Sequence, residues 1–316
     1  NDQKIVLATN IAETSLTIEG VDVVVDCGLM REARFNPATG MTGLHTVKIS
    51  KASSDQRAGR AGRLRPGKCY RLWSADQQKQ LAAHGTAEIL KADLAPLALQ
   101  LLQWGVDNPA ELSWIDPPPT GLWQQAMDLL SSLGAIKRED KGWVLTEHGQ
   151  AMTSLPIHPR LAHLLLCGAA IGSTQPAALL ASLLSDRDPF SHDNADISCR
   201  LDMLNGKTHC PPMHQGWLKR TRQLAEQFEE QTVKVKRPKL AYLITAEQLS
   251  GYLLACAYPD RIARRRHSGG YQLANGRSAN LMGHHHLANN RWLAVAEVSS
   301  MQGGNGDIIR SAVKLG

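Results

Sequence analysis

Two short runs of consecutive apolar residues place the strongest constraint on the fold of this chain. Residues 4–9 read KIVLAT and residues 21–27 read VDVVVDC. Unbroken apolar runs of this length are typical of strands that are buried on both faces of a parallel α/β sheet. The polar segment between them follows the carboxyl end of the first strand, the edge at which open α/β sheets bind ligands. The sequence therefore predicts an α/β region with a ligand site after Thr9.

The next segment predicts a hairpin, a helix and one more strand. A turn signal at residues 36–40 (NPATG) separates two extended runs within residues 30–49. Ser53 and Gln56 have the spacing of a capping box at the start of a helix. Residues 64–67 (LRPG) end that helix, and KCYRLW at residues 68–73 predicts a strand. We expect this first domain to close near residue 75.

The helix between these elements contains the arginine-rich run SSDQRAGRAGR at residues 53–63. Gln56, Arg60 and Arg63 have i, i+4, i+7 spacing and would share one helix face, whereas Arg57 and Ala61 would point elsewhere. Two guanidinium groups one turn apart can hold phosphoryl oxygens, and a nearby amide can orient an attacking water. Taken alone, the run fits a phosphate site and a basic surface helix equally well.

Two glycines, Gly59 and Gly62, lie among these arginines. Crowded like charge and glycine both weaken an isolated helix. Glycine leaves little bulk beside a neighbouring side chain, so another surface can approach closely. A polyanion bound at this run would account for both features.

The polar segment after the first apolar run offers a second group of candidate ligands. Thr9 and Asn10 are followed by Glu13, Thr14 and Ser15 at the start of a short helix. Hydroxyls, amides and a helix N-terminus can hold the phosphates of a nucleic-acid backbone. For any one of these residues, simple helix capping is the default explanation.

Residues 76–152 change character and predict a winged-helix domain. Leucine and alanine spacing marks two amphipathic helices near residues 94–102 and 122–133, with Gly134 as the cap of the second. Residues 135–146 (AIKREDKGWVLT) then predict a hairpin. The order helix, helix, hairpin is the order of a winged-helix module.

The remaining chain predicts a helical domain followed by a β domain. Helical patterns fill residues 153–248, at 161–170, 176–184, 201–204 and 216–230. Residues 249–316 contain alternating strand-like segments at 271–273, 292–298 and 308–313. We expect a small barrel or sheet there, incomplete where the sequence stops at Gly316. The predicted fold class is thus multidomain, α/β in the first part and mostly α with a β region afterwards.

Charge and cysteine content indicate what kind of partner the protein binds and in which cellular compartment it lies. The formal charge is +6 with a pI near 9.0, and the basic residues cluster at 57–71, 219–222, 234–239 and 261–266. Clustered positive charge attracts phosphate backbones, although solvated helix faces explain any single cluster about as well. Six cysteines without a C-x-x-C pair predict thiols in a reducing compartment, the cytoplasm, and no metal site.

We expect neither a signal peptide at the start of this sequence nor a membrane-spanning segment within it. The sequence contains no run long enough to span a bilayer, and it opens without the charged and apolar regions of a signal peptide. It lacks an initiator Met and enters a strand-like run almost at once. We therefore expect a part of a longer protein.

Two stretches now resemble a known family. Residues 7–18 (LATNIAETSLTI) resemble motif V of the DEAH-box helicases, and residues 53–63 (SSDQRAGRAGR) resemble their motif VI, Q-x-x-G-R-x-G-R. The resemblance extends over nearly the whole chain, strongly over residues 1–170 and more weakly beyond. It implies the C-terminal part of a second RecA-like domain (residues 1–75), a winged helix (76–152), a helical ratchet-like domain (153–248) and an OB-like β domain (249–316).

The resemblance also implies roles for single residues. Gln56, Arg60 and Arg63 would meet the nucleotide phosphates between two RecA-like domains, and Gly59 would permit that approach. Glu19 would lie near the nucleotide, although many relatives have aspartate there.

Four residues of motif V would touch the backbone of single-stranded RNA or DNA: Thr9, Asn10, Thr14 and Ser15. The hairpin within residues 31–49 resembles the element that separates or guides strands.

The chain lacks two motifs on which the chemistry of the family depends. There is no G-x-x-x-x-G-K-[ST] phosphate loop and no D-E-A-H box in the sequence. ATP with Mg²⁺ would therefore need the missing first RecA-like domain as a partner. The resemblance implies an ATP-dependent helicase in the full-length protein, and we expect this chain alone neither to hydrolyse ATP nor to unwind a duplex. It implies no oligomeric state.

Two other classes of protein remain open. A non-enzymatic winged-helix regulator would need no aligned Gln56, Arg60 and Arg63, and a degenerate scaffold would have no reason to keep motif VI.

Two further stretches are less informative. The triplet at residues 284–286 (HHH) has no suitably spaced acidic or cysteine partner and predicts a polar loop. RIARRRH at residues 261–267 fits a nucleic-acid contact or a solvated helix end.

Overall fold

The computed structural model describes residues 4–14, 19–37, 39–63, 66–140, 142–190, 194–235, 244–267, 269–283, 285–300 and 306–315. The chain divides into two compact units. The first comprises residues 1–94 with 112–122, and the second comprises residues 95–111 with 123–316. Among the described helices, none combines the length and the apolar run that crossing a membrane requires.

The described residues of the first unit form four strands and three short α-helices. In chain order these are α1 (Ile11–Thr14), β1 (Val23–Asp26), β2 (Leu29–Asn36), β3 (Met41–Lys48), α2 (Lys51–Ala58), β4 (Lys68–Arg71) and α3 (Ala75–Gln80). Strands β1 and β4 are parallel, with Val23 opposite Lys68. The predicted hairpin is confirmed as β2 and β3, which pair along their whole length, and the predicted strands at β1 and β4 are confirmed.

The strand expected at residues 4–9 is not formed, and that prediction is wrong. These residues lie outside any strand, and Ile5 and Leu7 are 88% and 96% exposed. A strand requires a neighbour that accepts and donates its backbone hydrogen bonds. Within the described residues, β1 pairs with β4 and with no strand from this segment. An apolar run indicates what a strand could bury, and it does not supply the partner.

The second unit begins with the helices and hairpin predicted for residues 76–152. These are α4 (Ala95–Gln103), α5 (Thr120–Ser132), β5 (Ile136–Glu139), β6 (Gly142–Leu145) and α6 (Glu147–Thr153), the first turn of α5 lying outside the unit. Gly134 follows α5 with φ +66°, the left-handed conformation that ends helices at glycine. Leu130 and Met127 on α5 are fully buried, so this part has a packed apolar core.

A bundle of helices follows and provides most of the core of the second unit. Its members are α7 (Pro159–Ala170), α8 (Thr174–Ser185), α9 (Ser198–Leu204), α10 (Gln215–Val233) and α11 (Ala246–Ala257). Leu164, Leu165, Leu180 and Leu253 are at most 1% exposed. Helix α11 was not predicted and runs across the expected domain boundary at 248/249. It begins at a capping box formed by Thr245 and Gln248.

The last five strands form a closed barrel. They are β7 (Ile262–Arg265), β8 (Tyr271–Leu273), β9 (Ser278–Asn280), β10 (Trp292–Ser300) and β11 (Asp307–Lys314), in the order β10-β11-β9-β8-β7. The expectation of an incomplete sheet is therefore wrong. Closure is possible because β10 pairs with β7 at its start and with β11 along its length, while β11 pairs in parallel with β9.

The basic run at residues 261–267 divides between buried and exposed positions. Arg261 is 2% exposed, donates a hydrogen bond to the Ala296 carbonyl, and has its guanidinium 4.4 Å from the centre of the Tyr258 ring. Arg264 and Arg265 on β7 are exposed. Only part of this run is thus available to a ligand, and Arg261 holds the barrel to the turn before it.

Candidate functional site

An open cleft of about 450 Å³ lies in the first unit. Its apolar wall includes Val21, Val23, Val24 and Val25, the last three on β1. Its polar wall is formed by Thr9, Asn10, Glu13, Asp26, Arg31, Thr46, Arg57, Arg60 and Arg63. The cleft therefore brings the end of β1, helix α1 and the arginine-rich run together.

Local sequence turns the chain at the end of β1 so that Asp26 faces this cleft. The Asp26 carboxylate accepts a hydrogen bond of 2.9 Å from the Gly28 backbone N–H. Gly28 has φ +72°, and a Cβ there would lie 2.8 Å from the Trp73 ring. Glycine is required at this position for both reasons, and the turn leads directly into β2.

Helix α2 begins earlier than the sequence predicted. Its N-cap is Ser50, whose hydroxyl accepts the Ser53 N–H at 3.1 Å, so the predicted capping box from Ser53 to Gln56 is wrong. The Lys51 and Ala52 N–H groups donate to the carbonyls of residues 82 and 83. The N-terminus of α2 is therefore satisfied within the protein, and the arginines are at its other end.

Arg57 is the centre of the cleft's polar wall. Its guanidinium donates to Glu13 Oε2 at 3.0 Å, to Asp26 Oδ1 at 2.9 Å and to the Leu29 carbonyl at 3.1 Å. Burial by itself would lower the pKa of Arg57, and the hydrogen bonds to Glu13 and Asp26 outweigh burial and raise it. This ion pair joins α1, β1 and α2, and it contradicts the expectation that Arg57 points away from the site.

Arg60 and Arg63 extend from a turn that follows the helix. Helix α2 ends at Ala58, and the N–H groups of Arg60 and Ala61 bond back three residues to residues 57 and 58. Ala61 is 3% exposed and anchors the turn. Arg60 donates to the Glu13 carbonyl, and both Arg60 and Arg63 line the cleft. The single helix face predicted for Gln56, Arg60 and Arg63 is therefore wrong, although two of the three converge.

The other predicted site residues lie at different places. Gln56 and Gly59 are exposed and are not part of the cleft wall, and Glu19 is exposed away from it. Thr14 is the last residue of α1. Ser15 lies outside the described residues.

Neither glycine of the arginine-rich turn is required by the fold. A Cβ on Gly59 would make only ordinary contacts of 3.5 Å, and a Cβ on Gly62 would meet nothing within 4 Å. Gly59 has φ −62°, which any residue can adopt. Gly67 is different, because a Cβ there would lie 1.9 Å from the Ala61 carbonyl oxygen. Gly59 and Gly62 leave room for a surface that the described residues do not supply.

Two buried polar atoms beside the cleft have no hydrogen-bond partner among the described residues. They are Asp26 Oδ2 and Arg57 Nη2, on the two side chains that form the central ion pair. Buried polar atoms are nearly always paired, so each exception needs an explanation, and a bound ligand, ion or water is one.

Sequence reasoning missed the group formed by Glu13, Asp26 and Arg57. The pairs that Arg57 makes are separated by 44 and 31 residues along the chain, so charge spacing could not reveal them. One signal was present, since Asp26 ends the apolar run of β1 at the edge where ligands bind.

Comparisons with known proteins show which family the chain resembles. The family model described as "Helicase conserved C-terminal domain" matches residues 1–65, a range that contains Arg57, Arg60 and Arg63. The chain is 41% identical over 292 residues to the ATP-dependent RNA helicase HrpB of Escherichia coli. That match covers 92% of this chain and 33% of the relative.

A structural comparison extends the match to the fold. The crystal structure of E. coli DExH-box NTPase HrpB superposes with a TM-score of 0.75 and 37% identity, over 98% of this chain and 35% of that one. Residues 1–65 thus match a helicase C-terminal domain, and nearly the whole chain is similar to part of a DExH-box NTPase. Human probable ATP-dependent RNA helicase DHX35 is 38% identical over 189 residues, 60% of this chain and 26% of the relative. The chain thus spans between a quarter and a third of the length of these curated relatives.

Proposed function

We propose that this chain, as a portion of a DEAH-box helicase, supplies the arginine half of an ATP-hydrolysing site in an ATP-dependent RNA helicase. One observation carries the proposal: Arg60 and Arg63 line an open cleft on a turn whose glycines the fold itself does not need. Such a turn can receive a polyanion and the surface that holds it. The names of the matched relatives, ATP-dependent RNA helicases, support ATP and RNA as the ligands.

Within this proposal each arginine has a separate task. Arg60 and Arg63 bind oxygens of the terminal phosphoryl group and stabilise the charge that develops during its transfer. Arg57 positions them, because its pairs with Glu13 and Asp26 hold α1 and β1 against the same helix end.

Three more residues have proposed roles beside the arginines. Gln56 orients the attacking water, Gly59 allows the nucleotide-bearing surface to approach, and Glu19 lies near the nucleotide.

The Mg²⁺ that accompanies ATP would meet only two carboxylates in the described cleft wall, and both belong to ion pairs. Glu13 and Asp26 both pair with Arg57. Mg²⁺ prefers carboxylate and phosphate oxygens in octahedral geometry. We therefore assign the ion's protein ligands, and the phosphate loop, to a first RecA-like domain that partners this chain.

Single-stranded RNA or DNA is the second proposed ligand. Thr9, Asn10, Thr14 and Ser15 would contact its sugar–phosphate backbone. Thr9 and Asn10 are exposed on the cleft wall, and their carbonyls accept the Ala12 and Glu13 N–H groups at the start of α1. Backbone contacts of this kind make binding depend on salt and not on base sequence.

The proposed architecture follows the order of elements. Residues 1–75 form part of a second RecA-like domain, and residues 76–152 a winged helix, supported by the sequence α4, α5, β5, β6. Residues 153–248 form a helical ratchet-like domain. Residues 249–316 form an OB-like domain, supported by the closed barrel of five strands. Helix α11 crosses the last boundary, so the helical and barrel regions share an element.

The test uses the whole protein with Arg60→Ala and Arg63→Ala. Removing an arginine that stabilises phosphoryl-transfer charge should lower RNA-stimulated ATP hydrolysis by roughly 10³-fold or more, since arginine fingers contribute that much. RNA affinity, measured by fluorescence anisotropy at fixed salt, should change little.

Arg220→Ala is the matched control, because Arg220 is an exposed arginine on α10 with a long contact of 3.9 Å to Asp186. It should retain full hydrolysis. Wild-type turnover in both cleft variants would overturn the proposal. Loss of RNA binding with normal basal hydrolysis would instead favour a nucleic-acid-binding role for this turn.

A further inference from the structure

Three side chains of metal-ligating types converge within the helical bundle of the second unit. They are His163 and Cys167 on α7 and Cys256 on α11. One nitrogen or sulfur atom from each lies within 4.8 Å of the others, and Cys167 Sγ is 3.4 Å from His163 Nε2. All three side chains are partly buried. Neither the family match nor the proposed hydrolysis uses this cluster.

The bundle geometry produces this convergence. His163 and Cys167 are spaced i, i+4, so they occupy neighbouring positions on one face of α7. Helix α7 is tightly packed, since a Cβ on Gly168 would lie 2.3 Å from the Ala177 Cβ and 3.4 Å from Leu253 of α11. Cys256 is therefore held against α7 by the packing of the core.

A second histidine orients the first. His148 Nε2 on α6 is 2.6 Å from His163 Nδ1, and the two rings meet edge to face. Metal-binding histidines characteristically donate their second ring N–H to a carboxylate, carbonyl or water, and here the imidazole of His148 takes that place. With His163 Nδ1–H donating to His148, the lone pair of His163 Nε2 is directed to the side where Cys167 lies.

The sulfur chemistry of the cluster is that of a ligand. Both sulfurs, Cys167 Sγ and Cys256 Sγ, belong to the group of ligand atoms that lie within 4.8 Å of one another. The thiolate is the form that binds metals. Two thiolates and one divalent cation sum to zero charge, which removes much of the cost of burying them.

We propose that His163 Nε2, Cys167 Sγ and Cys256 Sγ bind one Zn²⁺ ion. Zinc–nitrogen and zinc–sulfur bonds of about 2.0 and 2.3 Å at tetrahedral angles separate the ligand atoms by roughly 3.5–3.8 Å. The 3.4 Å between Cys167 Sγ and His163 Nε2 is close to that value. Two sulfurs and one imidazole favour zinc over magnesium or calcium, and three protein ligands leave a fourth position for water.

A zinc ion at this site would connect α7 to α11, and His148 on α6 would hold His163 in position. A disulfide between Cys167 and Cys256 is the competing outcome. It would need an oxidant, and it would leave the His148–His163 pair without a purpose. Zinc accounts for all four side chains.

The experiment is a Co²⁺ and Zn²⁺ titration of the whole protein, reduced and stripped of metal. We expect about one equivalent of Co²⁺ to give thiolate-to-cobalt charge-transfer absorption and tetrahedral d–d bands, and Zn²⁺ to displace it. His163→Ala, Cys167→Ser and Cys256→Ser should abolish these bands. His148→Ala should weaken binding by about 10–100-fold, the usual effect of losing an outer partner.

Cys199→Ser is the matched control, because Cys199 is a partly buried thiol on α9 outside the cluster. Its Co²⁺ spectrum should match the wild type. Alkylation of the wild type provides a readout without variants: Zn²⁺ should protect Cys167 and Cys256 from iodoacetamide while Cys199 reacts at an unchanged rate. Absence of cobalt bands, equal loss of binding in Cys199→Ser, or a Cys167–Cys256 disulfide that forms equally fast with and without Zn²⁺ would each overturn the proposal.

Discussion

Arg57 in the first unit and Arg200 in the second are each the centre of a polar cluster. The two clusters differ in whether all their buried polar atoms are hydrogen-bonded. Arg200 on α9 is 1% exposed and donates to Asp188 Oδ2 at 3.0 Å. It also donates to the carbonyls of residues 190, 194 and 196. Arg57 likewise binds carboxylates and a carbonyl, yet its Nη2 and the Oδ2 of Asp26 have no partner among the described residues.

The surroundings of Arg200 explain its closed network. The segment it holds is also tied to the barrel, since Ile197 and Ala195 exchange backbone hydrogen bonds with Ala312 on β11. His286 Nε2 lies 2.6 Å from Asp196 Oδ2. This histidine of the triplet predicted as a polar loop therefore helps to hold the segment in place. The Arg200 cluster is a structural centre, and the Arg57 cluster ends at an open cleft. Similar chemistry thus forms a closed network in one unit and borders an open cleft in the other.

The largest effect on stability is expected from Arg200→Met. The change leaves Asp188 and three carbonyls without their donor, and breaking a buried ion pair typically costs 3–5 kcal/mol. We expect the free energy of unfolding of the second unit to fall by about that amount. Urea unfolding followed by tryptophan fluorescence measures it.

Arg220→Met is the control for this change, because the Arg220 side chain is 66% exposed beside Asp186. It should cost less than about 1 kcal/mol, the usual range for exposed pairs. Equal losses in the two variants would remove the distinction between a closed buried cluster and an ordinary surface charge.

A smaller loss is expected from Arg57→Met. Hydrogen bonds to charged groups contribute about 1.5–3 kcal/mol, and the Arg57 side chain is less deeply buried than that of Arg200. We expect the first unit to lose about 2 kcal/mol of stability. Asp26→Asn keeps the bond from the Gly28 N–H, so the double variant Arg57→Met/Asp26→Asn should recover part of the loss. Strict additivity in this double-mutant cycle would contradict a direct pair.

Local patterns predicted most elements of both units. The hairpin β2–β3, helices α4, α5, α7, α8 and α10, and strands β8, β10 and β11 follow from turn signals and apolar periodicity. The predictions failed where the pairing of one strand with another determines the structure. Residues 4–9 have strand composition without a described partner, and closure of the barrel depends on β10 pairing with two strands at once.

The sequence predicted which kinds of residue form the candidate site, but not how they are arranged. The motif located Arg60 and Arg63, but the end of α2 at Ala58 moves them from a helix face to a turn. Arg57 could not be assigned, because its carboxylate partners come from distant parts of the chain. The same limit concealed the cysteine pair of α7 and α11, of which only the i, i+4 spacing of His163 and Cys167 is visible in sequence.

The smallest effect on stability is expected from Gly62→Ala. This variant also tests most directly whether another surface approaches the arginine-rich turn. A Cβ on Gly62 meets nothing within 4 Å, so stability should stay within about 0.5 kcal/mol of the wild type, as for most surface substitutions. ATP hydrolysis by the whole protein should nevertheless fall, because the added methyl group occupies space that a bound nucleotide and its domain would use. Paired unfolding and turnover measurements separate the two effects.

Gly67→Ala provides the opposite case on the same segment. Its Cβ would lie 1.9 Å from the Ala61 carbonyl oxygen, so it should destabilise the turn that carries Arg60 and Arg63 by about 1–3 kcal/mol. A Gly62→Ala protein that keeps full turnover would show that no surface approaches the arginine turn closely. The presence of Gly59 and Gly62 in this turn would then need another explanation, because the fold does not require either glycine.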